Sequence, residues 1–171
     1  NIGIYTLLPL TKKGVRVYSF EPSPTNIKRQ IKNIKLNKFE NRVNIEQVAI
    51  SNKNDIVNLY IDDSQRKNRL EFHKEFSPSD IIKVRSIKLD DYCKNNNVLP
   101  DFVKIDVEGV ANKVFEGSTS LIQSLCSKWL LEIHNEKEKK AFLKYFYNTK
   151  YSLFDIDNRH VLAIPKKLNS D

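Results

Sequence analysis

The chain has 171 residues, of which 40% are hydrophobic and 29% charged, and its 29 Lys and Arg against 21 Asp and Glu give a net charge of +8. This composition excludes disordered and fibrous proteins and predicts one soluble, cytoplasmic domain over residues 1–171, without a signal peptide or the ~20-residue apolar run of a membrane helix. The densest basic stretches lack interleaved aromatic residues, which does not favour nucleic acid as a partner.

The first third of the chain alternates helix and strand. Residues 1–8 combine a glycine with an apolar run, which predicts the end of a glycine loop followed by a helix. Residues 16–20 form a short β-rich run, and a helix capped by Ser23 follows it as far as Asn37. Residues 43–50 are a second predicted strand. Such alternation predicts parallel strands joined by crossover helices, which is the organisation of an α/β protein.

Two further strands are predicted at residues 56–61 and 82–87, joined by the polar, aperiodic segment 62–80. Long loops of this kind inside a compact domain are often functional. The segment is compatible both with a solvated hairpin tip and with a mobile lid that faces the substrate. Its basic residues include Arg66, Lys67 and Arg69.

The second half of the chain continues the alternation. The predicted elements are a short helix from Leu89, a strand at 101–106, a helix at 110–125 broken near Gly117, a strand at 129–134, a helix at 136–147, and a closing hairpin of strands 151–156 and 160–164. Asp157 and Asn158 are turn-forming residues between the two hairpin strands. The sequence contains no repeat and no linker, which agrees with a single domain.

Polar residues follow four of the predicted strands: Glu21, Gln47, Asp106 with Glu108, and Glu132 with His134. In open α/β sheets the ligand lies beyond the carboxyl ends of the strands. An acidic residue after a strand, about 20 residues beyond a glycine loop, can accept hydrogen bonds from both hydroxyls of a ribose. Gly3 and Glu21 have this spacing. The sequence therefore predicts a nucleoside site near Glu21.

Each of these residues also has a purely structural interpretation. Glu21 can be an ordinary surface residue, and Asp106 and Glu108 can stabilise the start of a helix through its dipole. His134 can be a hydrogen-bonded residue at a strand end. Their coincidence on one predicted sheet edge favours a functional interpretation. Asp106, Glu108 and His134 lack a characteristic metal-ligand spacing, so we expect no metal site.

Six motifs follow one another along the chain. They are Asn-Ile-Gly-Ile-Tyr-Thr at 1–6, Val-Tyr-Ser-Phe-Glu-Pro-Ser-Pro at 17–24, Val-Ala-Ile-Ser at 48–51, Leu-Asp-Asp-Tyr at 89–92, Lys-Ile-Asp-Val-Glu-Gly at 104–109 and Leu-Glu-Ile-His at 131–134. In this order they resemble the motifs of FkbM-type methyltransferases. The resemblance covers nearly the whole chain. Its most specific part is the combination of Phe-Glu-Pro with Lys-Ile-Asp-Val-Glu-Gly in this order and spacing.

The resemblance implies a class I S-adenosylmethionine fold, which is a doubly wound, Rossmann-like sheet, mostly parallel, with an antiparallel last strand. The family's loop after its first strand has the form Asp-x-Gly-Ala-Asn-x-Gly, of which this sequence holds only Asn1 and Gly3. The chain also contains no Met, even at position 1. We therefore expect a methyltransferase domain truncated at its amino terminus, without the first strand and the front of this loop.

The resemblance further implies O-methylation of a sugar, glycan or other small-molecule hydroxyl, with S-adenosylmethionine as the cofactor. The cofactor-binding residues would be Asn1 and Gly3 at the methionine end, Glu21 and Pro22 at the ribose, Gln47 and Ala49 at the adenine edge, and Asp106 at the methionine amino group. The catalytic residues would be Asp106 at the acceptor, with Glu108 or His134 as the base. Segment 62–80 would border the acceptor site, where its basic residues would suit an anionic acceptor.

Three other functions stay open from the sequence. A dinucleotide oxidoreductase also has an acidic residue after its second strand, but it needs a complete Gly-x-Gly-x-x-Gly loop. A degenerate, non-catalytic methyltransferase-like module would bind a partner or a sugar chain, and it is favoured only if the native protein lacks the amino-terminal segment. An RNA methyltransferase is compatible with the same motifs. The sequence predicts no oligomeric state.

Overall fold

The structure, a computed structural model, describes residues 3–63, 68–72, 77–147 and 149–166. It is a mixed α/β protein whose backbone groups into two compact units. Unit 1 comprises Asn1–Ala49 with Asp55–Ser86, and unit 2 comprises Ile50–Asn54 with Ile87–Asp171. The interpretation of residues 1–171 as one functional domain stays a prediction.

Unit 1 begins with alternating helices and parallel strands, as predicted. Its first elements are α1 (Ile4–Leu10), β1 (Val17–Phe20), α2 (Pro24–Leu36), a 3₁₀ turn (Glu40–Arg42) and β2 (Val43–Glu46). β1 and β2 pair in parallel over their whole length. α2 begins at the predicted position because the Ser23 hydroxyl accepts the N–H of Asn26 at 3.4 Å, and Pro24 occupies the first turn, where its missing N–H is not needed.

The predicted strand at 43–50 is wrong in its extent, because two short strands replace it. β2 ends at Glu46, and β3 comprises only Ala49–Ile50 and belongs to a different sheet. The backbone N–H of Glu21, just beyond β1, donates to the carbonyl of Glu46 at 3.1 Å and closes the pairing there. The apolar spacing along 43–50 does not reveal the break, because the break depends on which strand each residue pairs with.

The second part of unit 1 is an antiparallel pair. β4 (Asp55–Ile61) pairs with β5 (Asp80–Ile87) in a sheet of order β3–β5–β4. One face of the pair buries Leu59, Ile61 and Val84, because successive side chains of a strand point to opposite faces. In β5, the alternation of Ile82 and Val84 with Lys83 and Arg85 agrees with this face.

Only part of the segment 62–80 lies within the described residues. Arg69 forms a backbone bridge with Tyr60, in which the two N–H···O distances are 3.0 and 2.8 Å. Arg66 and Lys67 lie outside the described residues. Whether this segment borders an acceptor, and whether it is mobile, stay predictions.

Unit 2 contains the remaining elements, close to the predicted positions. They are α3 (Leu89–Asn95), β6 (Phe102–Ile105), α4 (Ala111–Glu116), α5 (Thr119–Gln123), β7 (Lys128–Glu132), α6 (Glu136–Phe146), β8 (Tyr151–Asp155) and β9 (His160–Pro165). The sheet has the order β6–β7–β9–β8. β6 and β7 are parallel, whereas β9 is antiparallel to both of its neighbours. The predicted break near Gly117 separates α4 from α5.

The core of unit 2 is aromatic. Trp129 of β7, Phe115 of α4 and Phe146 of α6 each have no exposed surface. The ring centroids of Phe115 and Phe146 lie 5.6 Å apart in an edge-on arrangement, and those of Trp129 and Phe146 lie 5.7 Å apart. Complete burial of one such side chain stabilises a fold by about 1.5–3 kcal/mol. This core therefore anchors β7 and α6, the two elements that flank His134.

The described strands form sheets of two, three and four strands that include both parallel and antiparallel pairs. Within the described ranges, each helix is too short or too polar to cross a membrane.

Candidate active site at the ends of β6 and β7

Two parallel strands of unit 2 end side by side and position the site. β6 and β7 are paired from Phe102 opposite Lys128 to Ile105 opposite Leu131. Asp106 directly follows β6, and His134 lies two residues beyond the end of β7. Because parallel strands present their carboxyl ends at one edge, the residues that follow them lie close together.

His134 contacts both carboxylates of the loop that follows β6. Its Nε2 atom lies 3.0 Å from Oδ1 of Asp106, and its Nδ1 atom lies 3.9 Å from Oε1 of Glu108. The side chains of His134, Asp106 and Glu108 are 15%, 23% and 19% exposed. These side chains are thus buried enough from solvent for their charges to interact strongly, and they remain accessible to a ligand.

The pair formed by Asp106 and His134 favours the charged form of each partner. The hydrogen bond between His134 and Asp106 raises the pKa of His134 above its ordinary value. Burial opposes this rise, and the negative charges of Glu108 and Glu138 add to it. Burial acts to raise the pKa of Asp106, but the hydrogen bond to His134 and the positive charge of Lys104 outweigh it, and the pKa is lowered. The result is a polarised pair across two strand ends.

The hydrogen bond to Asp106 also distinguishes the two ring nitrogens of His134. An ionised carboxylate only accepts hydrogen bonds, so the Nε2 atom carries the proton that it donates to Asp106. In the neutral imidazole, Nδ1 is then the atom with a free lone pair. This is the arrangement in which a carboxylate orients a histidine as a general base.

A third carboxylate, Glu138, lies behind this pair. It belongs to the first turn of α6 and is 1% exposed. Its Oε1 atom accepts the backbone N–H of Gly109 at 2.7 Å, and its Oε2 atom accepts the backbone N–H of His134 at 2.8 Å. Burial raises the pKa of Glu138, against the opposing effect of these two hydrogen bonds.

Glu132, the last residue of β7, is the centre of a neighbouring ion-pair network. Its carboxylate lies 3.4 Å from Nζ of Lys104, 2.5 Å from Arg159 and 3.5 Å from Nε2 of His160. Burial lowers the pKa of Lys104, although the negative charges of Asp106 and Glu132 oppose this effect. The network places positive charge against both oxygens of Glu132.

Asp106, Glu132 and His134 each offer one atom to a cluster in which all three atoms lie within 4.8 Å of one another. A metal ion can in principle bridge such a spacing. Here, however, Glu132 already contacts Lys104 and Arg159, and Asp106 already bonds to His134. We therefore interpret the cluster as a network of ion pairs.

The residues assigned to the cofactor lie in unit 1, except Asp106, which lies in unit 2. Glu21 follows β1, is 7% exposed, and accepts the N–H of Ser23 on Oε1 at 2.9 Å. Gly3 precedes α1 with a φ of 96°, a backbone conformation that side-chain-bearing residues rarely adopt. Ala49 is buried, whereas Gln47 is exposed. Asn1 lies outside the described residues.

A polar cluster connects the elements around Gly3 and Glu21. The side-chain amide of Gln30 in α2 donates to Thr6 Oγ1 at 3.0 Å and to Ser19 Oγ at 2.9 Å. It thereby ties α1, β1 and α2 together. Because Thr6 contacts the end of β1 near Glu21, the amino end of α1 and the carboxyl end of β1 lie on the same side of unit 1. Pro22 follows Glu21 there and is partly buried.

The structure thus brings together Asp106, Glu108 and His134, and it adds residues that the sequence did not indicate. Glu138 is the main addition. A signal for it exists, because Asn135 followed three residues later by Glu138 has the form of a capping box. That signal predicts a helix start, whereas the structure directs the carboxylate to two loops outside the helix.

A family model described as the methyltransferase FkbM domain matches residues 1–160 of the chain. Among solved structures, the chain is similar to a crystal structure of methyltransferase FkbM from Methylobacillus flagellatus KT, with a TM-score of 0.62 and 17% sequence identity. That likeness covers 95% of this chain but only 40% of the other, so the chain spans less than half of that protein's length. A search of curated proteins finds no match.

Proposed function

Because the chain belongs to the methyltransferase FkbM domain family, whose model matches residues 1–160, we propose that it is an S-adenosylmethionine-dependent methyltransferase. The proposed acceptor is a hydroxyl group of a sugar, a glycan or another small molecule. The proposed fold is doubly wound and Rossmann-like. The parallel pairs β1–β2 and β6–β7, together with the antiparallel strand β9, support it.

The observation that carries the proposed function is the 3.0 Å contact between His134 and Asp106. Methylation of a hydroxyl needs a base, because the oxygen loses its proton as it gains the methyl group. Nδ1 of His134 would take that proton, and Asp106 would stabilise the imidazolium that forms. Glu108, whose Oε1 atom lies 3.9 Å from Nδ1, is the competing base.

The residues of unit 1 fit the proposed cofactor. Glu21 offers a carboxylate at the end of a parallel strand, which can accept a hydrogen bond from each hydroxyl of a ribose diol. Its orientation is fixed by the N–H of Ser23, and Gly3 supplies a turn without a side chain at the amino end of α1. S-adenosylmethionine, when bound, supplies an electrophilic methyl group. Glu21 and Gly3 would hold it, with Pro22, Gln47 and Ala49 beside them.

Catalysis by these residues would rest on position and on proton transfer. Methyl transfer is an in-line displacement, so the protein mainly holds the acceptor oxygen in place and excludes water. His134, Asp106 and Glu108 are partly buried, which strengthens the electrostatic interactions among them and supports their role in proton transfer. Asp106 would also orient the acceptor or the methionine amino group.

The proposed function is tested by single-turnover methyl transfer with the full-length protein, using S-adenosylmethionine labelled in its methyl group and a panel of sugar and glycan acceptors. A general base contributes ~10²–10⁴-fold, so His134→Asn is expected to slow transfer by this factor without loss of cofactor binding. Glu108→Gln is compared directly, and His160→Asn is the matched histidine control. Transfer at the parent rate by the His134 variant would move the role to Glu108, and an absence of cofactor binding in the parent would reject the function.

A further inference from the structure

We propose that Glu138 is the positioning residue of the His134–Asp106 pair and that it fixes the spacing of the two loops that carry the pair. The inference rests on the proposed function, because it concerns the same base. It arises from a carboxylate that is 1% exposed and that the proposed reaction does not itself use.

One side chain joins both loops. Oε1 of Glu138 accepts the N–H of Gly109, three residues after Asp106, at 2.7 Å. Oε2 accepts the N–H of His134 itself at 2.8 Å. The 3.0 Å hydrogen bond between His134 and Asp106 requires a fixed spacing between these two loops, and Glu138 is bonded to both of them.

A carboxylate suits this role better than any other side chain. The N–H of Gly109 is buried and that of His134 is partly buried, and an ionised carboxylate offers an acceptor to each of them, one on each oxygen. An amide would turn its own N–H₂ group toward one of them. Gly109 also bonds to the Val107 carbonyl at 3.0 Å and has a φ of 85°, so its loop is tightly turned where Glu138 meets it.

The role of Glu138 goes beyond capping of α6. Asn135 already caps that helix, because its Oδ1 atom accepts the N–H of Glu138 at 3.0 Å. In a capping box the acidic side chain returns to the N–H of the capping residue. Here the carboxylate reaches the residue before the cap and a loop from another strand. These contacts do little for the helix, but they fix the relative positions of Asp106 and His134.

Glu138 could affect His134 by positioning the loops or directly through its negative charge, and the charged groups around His134 allow these two effects to be separated. Asp106 and Glu108 face the imidazole from the loop after β6, and Glu138 faces it from α6. Glu132, with Lys104 and Arg159, lies at the end of β7 beside the pair. The substitution Glu138→Asp keeps the charge of α6 but shortens the side chain by one methylene. A change in the pKa of His134 in this variant therefore reflects the shorter reach of the side chain and not a loss of its charge.

The experiment is an NMR titration of the His134 ring in the full-length protein, with S-adenosylmethionine binding measured in parallel. The chain has only three histidines, so the signal of His134 can be assigned with single variants. Glu138→Asp is expected to lower the pKa of His134 toward the ordinary value of about 6.5. In an Asp106→Asn background, the same substitution is expected to cause little further change, because Glu138 acts through the pair. An unchanged pKa, or an equal drop in both backgrounds, would overturn the proposal.

The control is Glu136→Asp, an exposed acidic residue in the same helical turn, which is expected to leave the titration unchanged. If Glu138→Asp does not fold, exchange of the Gly109 and His134 amides in the parent protein decides instead. Slow exchange of both amides supports the positioning role of Glu138, and exchange as fast as that of a solvated loop overturns it. In single-turnover transfer, Glu138→Asp is expected to lower the rate without changing the cofactor Kd. A parent that does not bind S-adenosylmethionine would reject the proposed function, but the titration would still decide the role of Glu138.

Discussion

Asp106 and His134 form a hydrogen bond across the ends of two parallel strands, with Oδ1 of Asp106 3.0 Å from Nε2 of His134. The electrostatic part of its contribution to the stability of the folded chain requires both groups to be charged. The pKa of His134 is raised, so its contribution is complete below its unfolded pKa and is lost as pH rises through the folded one. The pKa of Asp106 is lowered, so its contribution is complete above its unfolded pKa and is lost as pH falls through the folded one.

Asp106→Asn is therefore expected to lower the free energy of unfolding most between about pH 4.5 and 6, by about 1–3 kcal/mol, and less at pH 9. Urea unfolding at several pH values measures this difference. Asp157→Asn is the matched control, because Asp157 pairs with His160 in an exposed turn, where solvent screens the charges. A loss for Asp106→Asn that is the same at pH 5.5 and pH 9 would contradict the role of the ion pair.

Replacement of Glu21 is expected to weaken cofactor binding. Glu21→Gln would remove the charge from the hydrogen bonds to a ribose diol, which costs about 1.5–3 kcal/mol and corresponds to a roughly 10–100-fold higher Kd. Calorimetry with S-adenosylmethionine measures the change. Glu40→Gln, on an exposed turn of the same unit, is the control. Equal affinity of the parent and the Glu21 variant would remove Glu21 from the cofactor site.

Gly117 is expected to tolerate no side chain. A Cβ atom at this position would lie 2.0 Å from the backbone carbonyl oxygen of Ser51. Gly117→Ala therefore forces the backbone apart and should lower the free energy of unfolding by about 1–3 kcal/mol. Ser120→Ala, at an exposed position in the neighbouring α5, should change it by less than about 0.5 kcal/mol. Thermal or urea unfolding compares the two variants, and equal stability would show that the two segments can separate without cost.

The bridge between Tyr60 and Arg69 should slow amide exchange locally within the polar segment 62–80. The N–H of Arg69 donates to the Tyr60 carbonyl at 3.0 Å, so its exchange should be slower than that of a solvated amide. Because the bridge is isolated, exchange should still be faster than at Val103, inside the paired strand β6. Hydrogen exchange followed by NMR measures both amides. Equal protection at Arg69 and Val103 would contradict the predicted mobility of this segment.

The sequence by itself determined most elements of the fold, because these depend on local chemistry. Ser23 and Pro24 mark the start of α2, and the alternation of apolar and polar residues marks β5. The closing hairpin and the helix break at Gly117 also follow from local signals. The placement of Asp106 and His134 beyond strand ends was predictable in the same way, because parallel strands present their carboxyl ends together.

The tertiary structure decided what depends on partners distant in sequence. The split between β2 and β3 follows from strand pairing, and the reason for a glycine at position 117 is the backbone of Ser51. The capping pattern of Asn135 and Glu138 is visible in the sequence, but the target of the Glu138 carboxylate is not. That target is the N–H of Gly109, which lies 29 positions away in the sequence. A buried carboxylate bonds to the N–H groups that the fold places beside it, and these need not be near it along the chain.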